Sequence, residues 1–280
     1  MAAEAALPDA VGPTTPMAPG PLLTLSAGAL SVDIAPQAGG RIAQIRVDGV
    51  EQLVGYGEHG SEAAIAWGSY PMVPWCGRIR DGRFRFDGQD HQLPRNLGDH
   101  AIHGVGFLMP WQVLEQGAAH IVLGLDLPVD ARWPFGGHAR QRIELQGRSL
   151  RQALSLTAGE RAMPFSLGWH PWFRKPERLE FAPEAIYPRD AHDIAVLPPQ
   201  PVPPGPWDDC FVNRMPVSLV RHGQRLTVDS ACTDWVVYDQ TAHATCVEPQ
   251  SAMPDVFNLA PDRRLEPGQS VQVHCRTDWD

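Results

Sequence analysis

A histidine lies between two tryptophans in residues 166–174, whose centre reads Trp169-His170-Pro171-Trp172. Histidine changes its charge near neutral pH, so His170 could transfer a proton in catalysis. The two indole rings offer apolar faces with one N–H group each, which suits contact with a sugar ring. Proline lacks a strand hydrogen-bond donor and therefore favours a strand end or edge. Taken alone, this pattern is also typical of a structural histidine bonded to a backbone carbonyl.

Three further stretches place polar groups beside glycines and aromatic residues. Arg78 lies among apolar side chains in residues 70–79, so it is either paired or directed at a ligand. His103 belongs to the glycine- and histidine-containing residues 96–107. Glu248 follows an apolar pair and precedes a proline, which predicts a carboxylate where a strand runs into a loop. Histidines, a carboxylate and an arginine on loops fit acid–base work on a neutral polyol better than a nucleophile triad.

Other interpretations of these residues stay open at this level. His100 and His103, together with His170 and Glu248, could form a metal site as in cupin-like β-sandwiches, although their spacing is not tight. Arg78 and Glu248 could form a buried ion pair. The glycine-containing loops could serve turn geometry alone.

The elements that must position these residues are short strands. Apolar and polar residues alternate in many segments, which is typical of half-buried strands. These segments are residues 30–34, 43–47, 121–127, 142–146, 217–219, 226–228 and 271–273. Asp-Gly pairs at 48–49 and 87–88 predict tight hairpin turns. No capped helical pattern of helix length appears, so the sequence predicts an all-β fold, a large sandwich of mainly antiparallel strands.

Composition limits the class of protein and its partners. The net charge of −9 argues against nucleic acid and against an anionic membrane surface. No apolar run approaches the roughly 18 residues of a membrane span. The five cysteines are odd in number and lack metal-ligand spacing, which favours reduced core thiols in a cytoplasmic protein. Residues 1–21 are rich in alanine and proline and are predicted to be a disordered tail, followed by a single domain over residues 22–280.

Six stretches occur in the order found in one known family. They are residues 36–42, 74–79, 96–107, 168–173, 208–211 and 248–250, which read PQAGGRI, PWCGRI, NLGDHAIHGVGF, GWHPWF, DDCF and EPQ. On these motifs the chain resembles the aldose 1-epimerase (galactose mutarotase-like) family over nearly all of residues 22–280. The resemblance implies a galactose mutarotase-like β-supersandwich and no metal or organic cofactor.

The resemblance also implies roles for the polar residues. Glu248 resembles the general base that takes the proton from the sugar C1 hydroxyl, and His170 resembles the general acid that protonates the ring oxygen. His103 is similar to a second histidine that donates or accepts hydrogen bonds near the reacting centre. Arg78 and Asp208 match positions that hold the sugar hydroxyls.

The chain departs from the family pattern at two places, and the choice between two neighbouring aspartates stays open. Gly77 stands where the family often has asparagine before the arginine. Trp169-His170-Pro171 replaces the Thr-Asn-His type of stretch, which is similar to a shorter bacterial branch. Asp209 directly follows Asp208 and is the alternative to it as the sugar-holding carboxylate.

The function expected from the resemblance is interconversion of the α and β anomers of an aldohexose. Trp169 and Trp172 are expected to cover the apolar face of the sugar. One alternative is a hexose-6-phosphate 1-epimerase that uses Arg80 and Arg174 near C6, and another is a catalytically silent sugar-binding protein. The expected partner is a small-molecule sugar, with the protein acting as a monomer or weak homodimer.

Overall fold

The computed structural model describes residues 12–280, which form two large antiparallel sheets and three two-stranded ones. The strands are β1 (Leu23–Ala27), β2 (Leu30–Ala35), β3 (Arg41–Val47), β4 (Val50–Glu51), β5 (Ser69–Met72), β6 (Arg78–Ile79), β7 (Arg83–Phe86), β8 (Gln89–Gln92), β9 (Ala101–Ile102), β10 (Gln112–Gln116), β11 (His120–Asp126), β12 (His138–Gln146), β13 (Ser149–Thr157), β14 (Met163–Pro164), β15 (Gly168–Arg174), β16 (Arg178–Glu180), β17 (Ala185–Tyr187), β18 (Asp208–Val212), β19 (Val217–Arg221), β20 (Gln224–Ser230), β21 (Asp234–Tyr238), β22 (Ala244–Gln250), β23 (Arg264–Leu265) and β24 (Ser270–Trp279). Helical segments are short: α1 (Val256–Leu259) and 3-10 turns at Glu58–Gly60, Arg80–Gly82 and Gly106–Leu108.

The two large sheets pack face to face and confirm the predicted all-β sandwich. The ten-stranded sheet has the order β1-β2-β3-β5-β15-β22-β21-β18-β17, with β4 added to β3. The eight-stranded sheet has the order β10-β11-β12-β13-β24-β20-β19-β16. The predicted Asp-Gly turns are present, since the residues of both pairs have positive φ and connect β3 to β4 and β7 to β8.

The core between the sheets follows from the alternation of side chains along each strand. In β13, for example, Leu150, Leu154 and Leu156 are buried while the residues between them are mostly exposed or half-buried. Strands β15 and β22 differ because they are central and buried on both faces. One face of this pair contributes to the core, and the other remains for a site.

The expectation that Pro171 places its stretch at a sheet edge or strand end is wrong. β15 is a central strand, paired with β5 on one side and with β22 on the other. Proline is tolerated because the β15–β22 ladder is interrupted between the pairs Gly168–Gln250 and Trp172–Cys246. Pro171 and Pro249 both fall inside this interruption, where their missing N–H groups break no ladder bond.

The predicted disordered tail lies largely outside the described residues, since residues 1–11 are not described. The part that follows makes backbone hydrogen bonds with the loop before β5. The backbone N–H of Ala64 donates to Thr15, that of Ile65 donates to Pro13, and that of Met17 donates to Glu62. This segment therefore packs against the loop that precedes β5.

Among residues 12–280, we find no helix with the length and apolar character needed to cross a bilayer.

Candidate active site

A cavity of about 280 Å³ opens over the central strands of the ten-stranded sheet. Residues singled out in the sequence line it together, among them Arg78, His103, His170, Trp172, Asp208 and Glu248. They come from β6, the loop after β9, β15, β18 and β22, which are far apart in the chain. The fold thus gathers separate sequence motifs into one concave site, the usual form of a small-molecule site.

His170 and Glu248 face each other across the interrupted ladder between β15 and β22. The flanking pairs Gly168–Gln250 and Trp172–Cys246 place these two residues at opposite positions. His170 Nε2 lies 3.2 Å from Glu248 Oε1, and the two side chains are only 7% and 2% exposed. An imidazole and a carboxylate are thereby held within proton-transfer distance in a nearly dry environment.

Burial shifts both groups toward their uncharged forms. Loss of water lowers the pKa of His170 to about 3, with a smaller contribution from the cationic Arg41. Burial raises the pKa of the Glu248 carboxyl well above its usual value, and the nearby charge of Asp208 adds to this effect. The pair is therefore best described as two coupled groups that share one transferable proton.

Aromatic rings hold the His170 imidazole in place. Tyr70 stacks on it at a centroid distance of 4.8 Å, and Trp172 stacks at 5.4 Å. The Tyr70 hydroxyl and the Trp172 indole N–H both donate to the Ile65 carbonyl, at 3.2 and 2.8 Å. The imidazole plane is thus fixed by two rings that are themselves anchored to one backbone oxygen.

His103 is held as a neutral hydrogen-bonding group beside this pair. Its ring centroid lies 5.2 Å from that of His170. The Gly77 N–H donates to His103 Nδ1 at 3.2 Å, so Nε2 carries the ring proton. Burial lowers the pKa of His103 well below its usual value, and the charges of His170 and Arg78 act in the same direction. His103 can therefore donate a hydrogen bond without becoming charged.

The glycine that departs from the family pattern has a structural reason. Gly77 has φ +64°, and a Cβ there would lie 2.7 Å from Cβ and Cγ of Pro254. Only glycine combines this left-handed conformation with the lack of a side chain. In this conformation the Gly77 N–H donates to His103 Nδ1.

The remaining polar wall of the cavity combines Arg78 with two carboxylates. The Arg78 guanidinium makes no hydrogen bond or ion pair within residues 12–280, so of the two sequence interpretations the structure favours a ligand-directed group. Arg189 bridges Asp208 and Asp209, with nitrogen–oxygen distances of 3.1 Å to each. Both aspartates line the cavity, and the charge of Asp208 acts on Glu248.

Two residues considered in the sequence do not face the cavity. Trp169 is only 1% exposed and lies in the core, where its indole N–H donates to Gln141 Oε1 at 3.0 Å. Adjacent residues of a strand point to opposite faces, so Trp169 cannot share the site with His170. His100 accepts a hydrogen bond from the Asp81 N–H and bonds the His192 carbonyl, so it is a structural histidine.

The structure does not assemble the metal set that includes His100. A different group could hold an ion, because ligand atoms of His170, Cys246 and Glu248 all lie within 4.8 Å of one another. Imidazole, thiolate and carboxylate donors are those that suit Zn²⁺. Burial raises the pKa of the Cys246 thiol well above its usual value, which opposes formation of the thiolate ligand.

Sequence reasoning missed three residues of the site: Tyr70, Arg189 and Gln250. Gln250 follows Glu248 by two positions, so strand alternation alone would have placed it on the same face. Arg189 carried no such signal, because its partners Asp208 and Asp209 lie on a strand that begins about twenty residues later.

Fold and site together define an antiparallel β-sandwich with a buried imidazole and carboxylate in its cleft. A family model described as aldose 1-epimerase matches residues 21–278, so the chain belongs to the aldose 1-epimerase family. It is 25% identical to the Escherichia coli K12 protein YihR, described as uncharacterized, over 88% of this chain and 89% of that protein.

Solved structures show the same fold. A galactose 1-epimerase from Lactobacillus acidophilus NCFM superposes with a TM-score of 0.79 at 18% identity, covering 92% of this chain and 94% of that one. A galactose mutarotase-like protein from Clostridium acetobutylicum also gives 0.79 at 18% identity, covering 92% and 95%. The predicted fold and family are thus confirmed, and an epimerase activity follows at the level of the family.

Proposed function

We propose that this protein is an aldose 1-epimerase that interconverts the α and β anomers of an unphosphorylated aldohexose. The observation that carries the proposal is the placement of His170 opposite Glu248, 3.2 Å apart, in a cavity lined by hydrogen-bonding groups. Anomer exchange needs one proton removed from the C1 hydroxyl and one delivered to the ring oxygen, and two such groups can do both.

The reaction runs through the open-chain sugar. Glu248 takes the proton from the C1 hydroxyl, the C1–O5 bond breaks as the C1 carbonyl forms, and His170 gives its proton to O5. The aldehyde then turns about the C1–C2 bond. Ring closure on the other face of C1 reverses both proton transfers and restores the enzyme, so no proton is gained or lost overall.

The proton distribution of the pair changes during this cycle. The closed ring reacts with carboxylate Glu248 and protonated His170, and the open chain is matched by protonated Glu248 and neutral His170. Burial favours the second, uncharged distribution. Arg78 opposes this at Glu248, because its charge lowers the pKa of the carboxyl. Balancing the two distributions keeps either from becoming a deep energy minimum during turnover.

An unphosphorylated sugar agrees better with the charges than a hexose 6-phosphate. Arg174, one of the two arginines suggested for a phosphate, is bound by Glu51 at 2.6 Å and by Glu58 at 2.8 Å. The other, Arg80, is paired with Asp190. The cavity wall also contains Asp193, Asp208 and Asp209, which would repel a phosphate.

A catalytically silent sugar-binding protein is the less favoured alternative. Binding alone would not require an imidazole and a carboxylate at proton-transfer distance, both nearly without water. We further propose that the reaction needs no metal or organic cofactor, and that the protein works in the cytoplasm as a monomer or weak homodimer. All five cysteines are free and buried, which suits a reducing compartment.

A substrate panel tests the proposal. Anomerically pure glucose and galactose, each with and without a 6-phosphate, are followed by NMR exchange spectroscopy with the purified protein before and after EDTA treatment. We expect faster exchange with the free sugars than with the phosphates, and no change with EDTA. Tight binding without faster exchange would support the silent sugar-binding alternative, and loss of activity with EDTA would contradict cofactor independence.

A further inference from the structure

Gln250 lies at the end of β22 on the same strand face as Glu248. Its side chain is completely buried, yet it lines the cavity. A buried amide normally uses both its N–H₂ group and its oxygen in hydrogen bonds. The contacts of this one amide therefore indicate what the cavity is built to receive.

Only one end of the Gln250 amide is satisfied. Nε2 donates to Glu248 Oε2 at 3.2 Å. The other end, Oε1, is buried and has no hydrogen-bond partner within residues 12–280. An acceptor in this position calls for a donor from a ligand, and a sugar hydroxyl is such a donor.

His170 and Gln250 contact opposite ends of the same carboxylate. His170 lies at Glu248 Oε1, and Gln250 lies at Glu248 Oε2. The anomeric carbon likewise has two ring neighbours, the ring oxygen and C2. If the carboxylate faces the C1 hydroxyl and His170 faces the ring oxygen, the Gln250 end of the carboxylate faces C2.

We propose that Gln250 has two tasks in the reaction: it orients Glu248, and its amide oxygen accepts a hydrogen bond from the C2 hydroxyl of the sugar. The inference rests on the proposed epimerase function and deepens it by naming a part of the substrate that is recognised. Aldoses that bear a free C2 hydroxyl are the preferred class, and 2-deoxy sugars are poorer substrates.

A comparison of two sugars as substrates for the unchanged protein and two variants tests the contact with the C2 hydroxyl. The kcat/KM for mutarotation of glucose and of 2-deoxyglucose is measured with the unchanged protein, with Gln250→Met and with Thr245→Val. Methionine keeps the length of the side chain and removes both hydrogen-bonding groups. One hydrogen bond corresponds to about a two- to tenfold change in rate. We expect the unchanged protein to favour glucose by roughly that factor and Gln250→Met to lose the preference.

Thr245 is the matched control. Its Oγ1 is also buried and without a hydrogen-bond partner among the described residues. It lies on β22 as well, but an odd number of residues from Gln250, so it points to the face away from the cavity. We expect Thr245→Val to keep both the rate and the preference for glucose.

The orienting task has its own readout. The Gln250 N–H lowers the pKa of the Glu248 carboxyl by donating to it. Gln250→Met removes that donor, so the alkaline limb of the kcat/KM profile should move to higher pH, which loss of packing alone would not do. Should Gln250→Met fail to fold by circular dichroism, Gln250→Leu takes its place in the same measurements.

The outcomes separate this inference from the proposed function. If the unchanged protein accelerates neither sugar, the epimerase proposal itself fails. If it is active but Gln250→Met keeps the preference for glucose, the C2 contact is overturned. If the alkaline limb stays in place, the orienting task is overturned.

Discussion

Two buried ionisable sites contact the Tyr70 ring and differ in how their polar atoms are used. In the first, the Arg41 guanidinium carbon lies 5.1 Å from the ring centroid. In the second, the His170 ring stacks on Tyr70 at 4.8 Å, and its Nε2 lies 3.2 Å from Glu248 Oε1. Arg41, His170 and Glu248 are all buried, with exposures of 0%, 5% and 2%.

Arg41 uses every N–H donor that it has. It donates to the carbonyls of four residues and to the Met17 sulfur; the four are Ala38, Ala64, Trp67 and Phe107. Burial lowers its pKa to about 9, which leaves it charged at neutral pH. These contacts tie β3, the segment around Met17 and the turn at Phe107 together, so Arg41 serves the fold.

The site that contains His170 and Glu248 leaves polar atoms without hydrogen bonds. His170 Nδ1 and Gln250 Oε1 are buried without hydrogen-bond partners in the described part of the chain. Such groups cost stability unless a ligand completes them. The comparison teaches that a buried charge with all its bonds made supports the structure, whereas buried polar atoms that lack partners and also line a cavity, as at Gln250, are available to a ligand.

The largest effect on stability should come from Arg41→Met, which removes the guanidinium whose N–H groups are all hydrogen-bonded. Four buried carbonyls would lose their donors, so the free energy of unfolding should fall by about 3 kcal/mol. Urea unfolding followed by fluorescence measures this change. The control is Arg142→Met on β12, whose side chain is 43% exposed and pairs with the 41% exposed Glu144, so its loss should cost less than about 1 kcal/mol. Equal losses for the two variants would contradict the comparison.

A smaller loss of stability is expected for Gly77→Ala, which also disturbs the hydrogen bond from the Gly77 N–H to His103. The left-handed backbone and the contact with Pro254 should together cost about 2 kcal/mol. Because the Gly77 N–H holds His103, mutarotation should slow as well. Gly88→Ala is a useful comparison, since it also has positive φ but no heavy atom near its absent Cβ. A variant at position 77 no less stable than the one at 88 would show that the close approach is unimportant.

How much of this could be predicted from the sequence depends on the range of the interactions. Strand alternation and Asp-Gly turns are local, and they sufficed for the all-β fold. Motifs also sufficed to bring His170, His103, Arg78 and Glu248 into one hypothesis. The side of the sheet that Trp169 faces was predictable in principle, because neighbours of His170 on a strand cannot share its face.

Other features depend on pairing between distant segments. The interruption of the β15–β22 ladder needs Pro171 and Pro249 to meet, and neither proline alone reveals it. The five acceptors of Arg41 are mostly backbone carbonyls, which carry no signature of residue type. Arg189 likewise becomes a site residue only once β18 lies beside it.

The smallest of these effects is the pH dependence of the unchanged protein. In the proposed mechanism, the active free enzyme holds one proton on the His170–Glu248 pair. The pKa of His170 is about 3, so the pair takes up a second proton only when the pH falls to about 3. Burial raises the pKa of Glu248, so the shared proton is lost as the pH rises through that raised value, above the usual range of a carboxyl. We expect kcat/KM to fall about tenfold per pH unit on this alkaline side, and a profile without an alkaline limb would contradict a shared proton.

The most direct test of the acid–base pair is polarimetry of freshly dissolved α-glucose and α-galactose with Glu248→Gln and His170→Asn. Each variant should lower the rate by about 10²- to 10⁴-fold, because each removes one proton-transfer group. The melting temperature should change little, since glutamine keeps the size of the glutamate side chain and His170 Nδ1 has no hydrogen-bond partner in the described part of the chain. Equilibration at the rate of the unchanged protein by either variant would contradict the assignment of His170 and Glu248 as the catalytic pair.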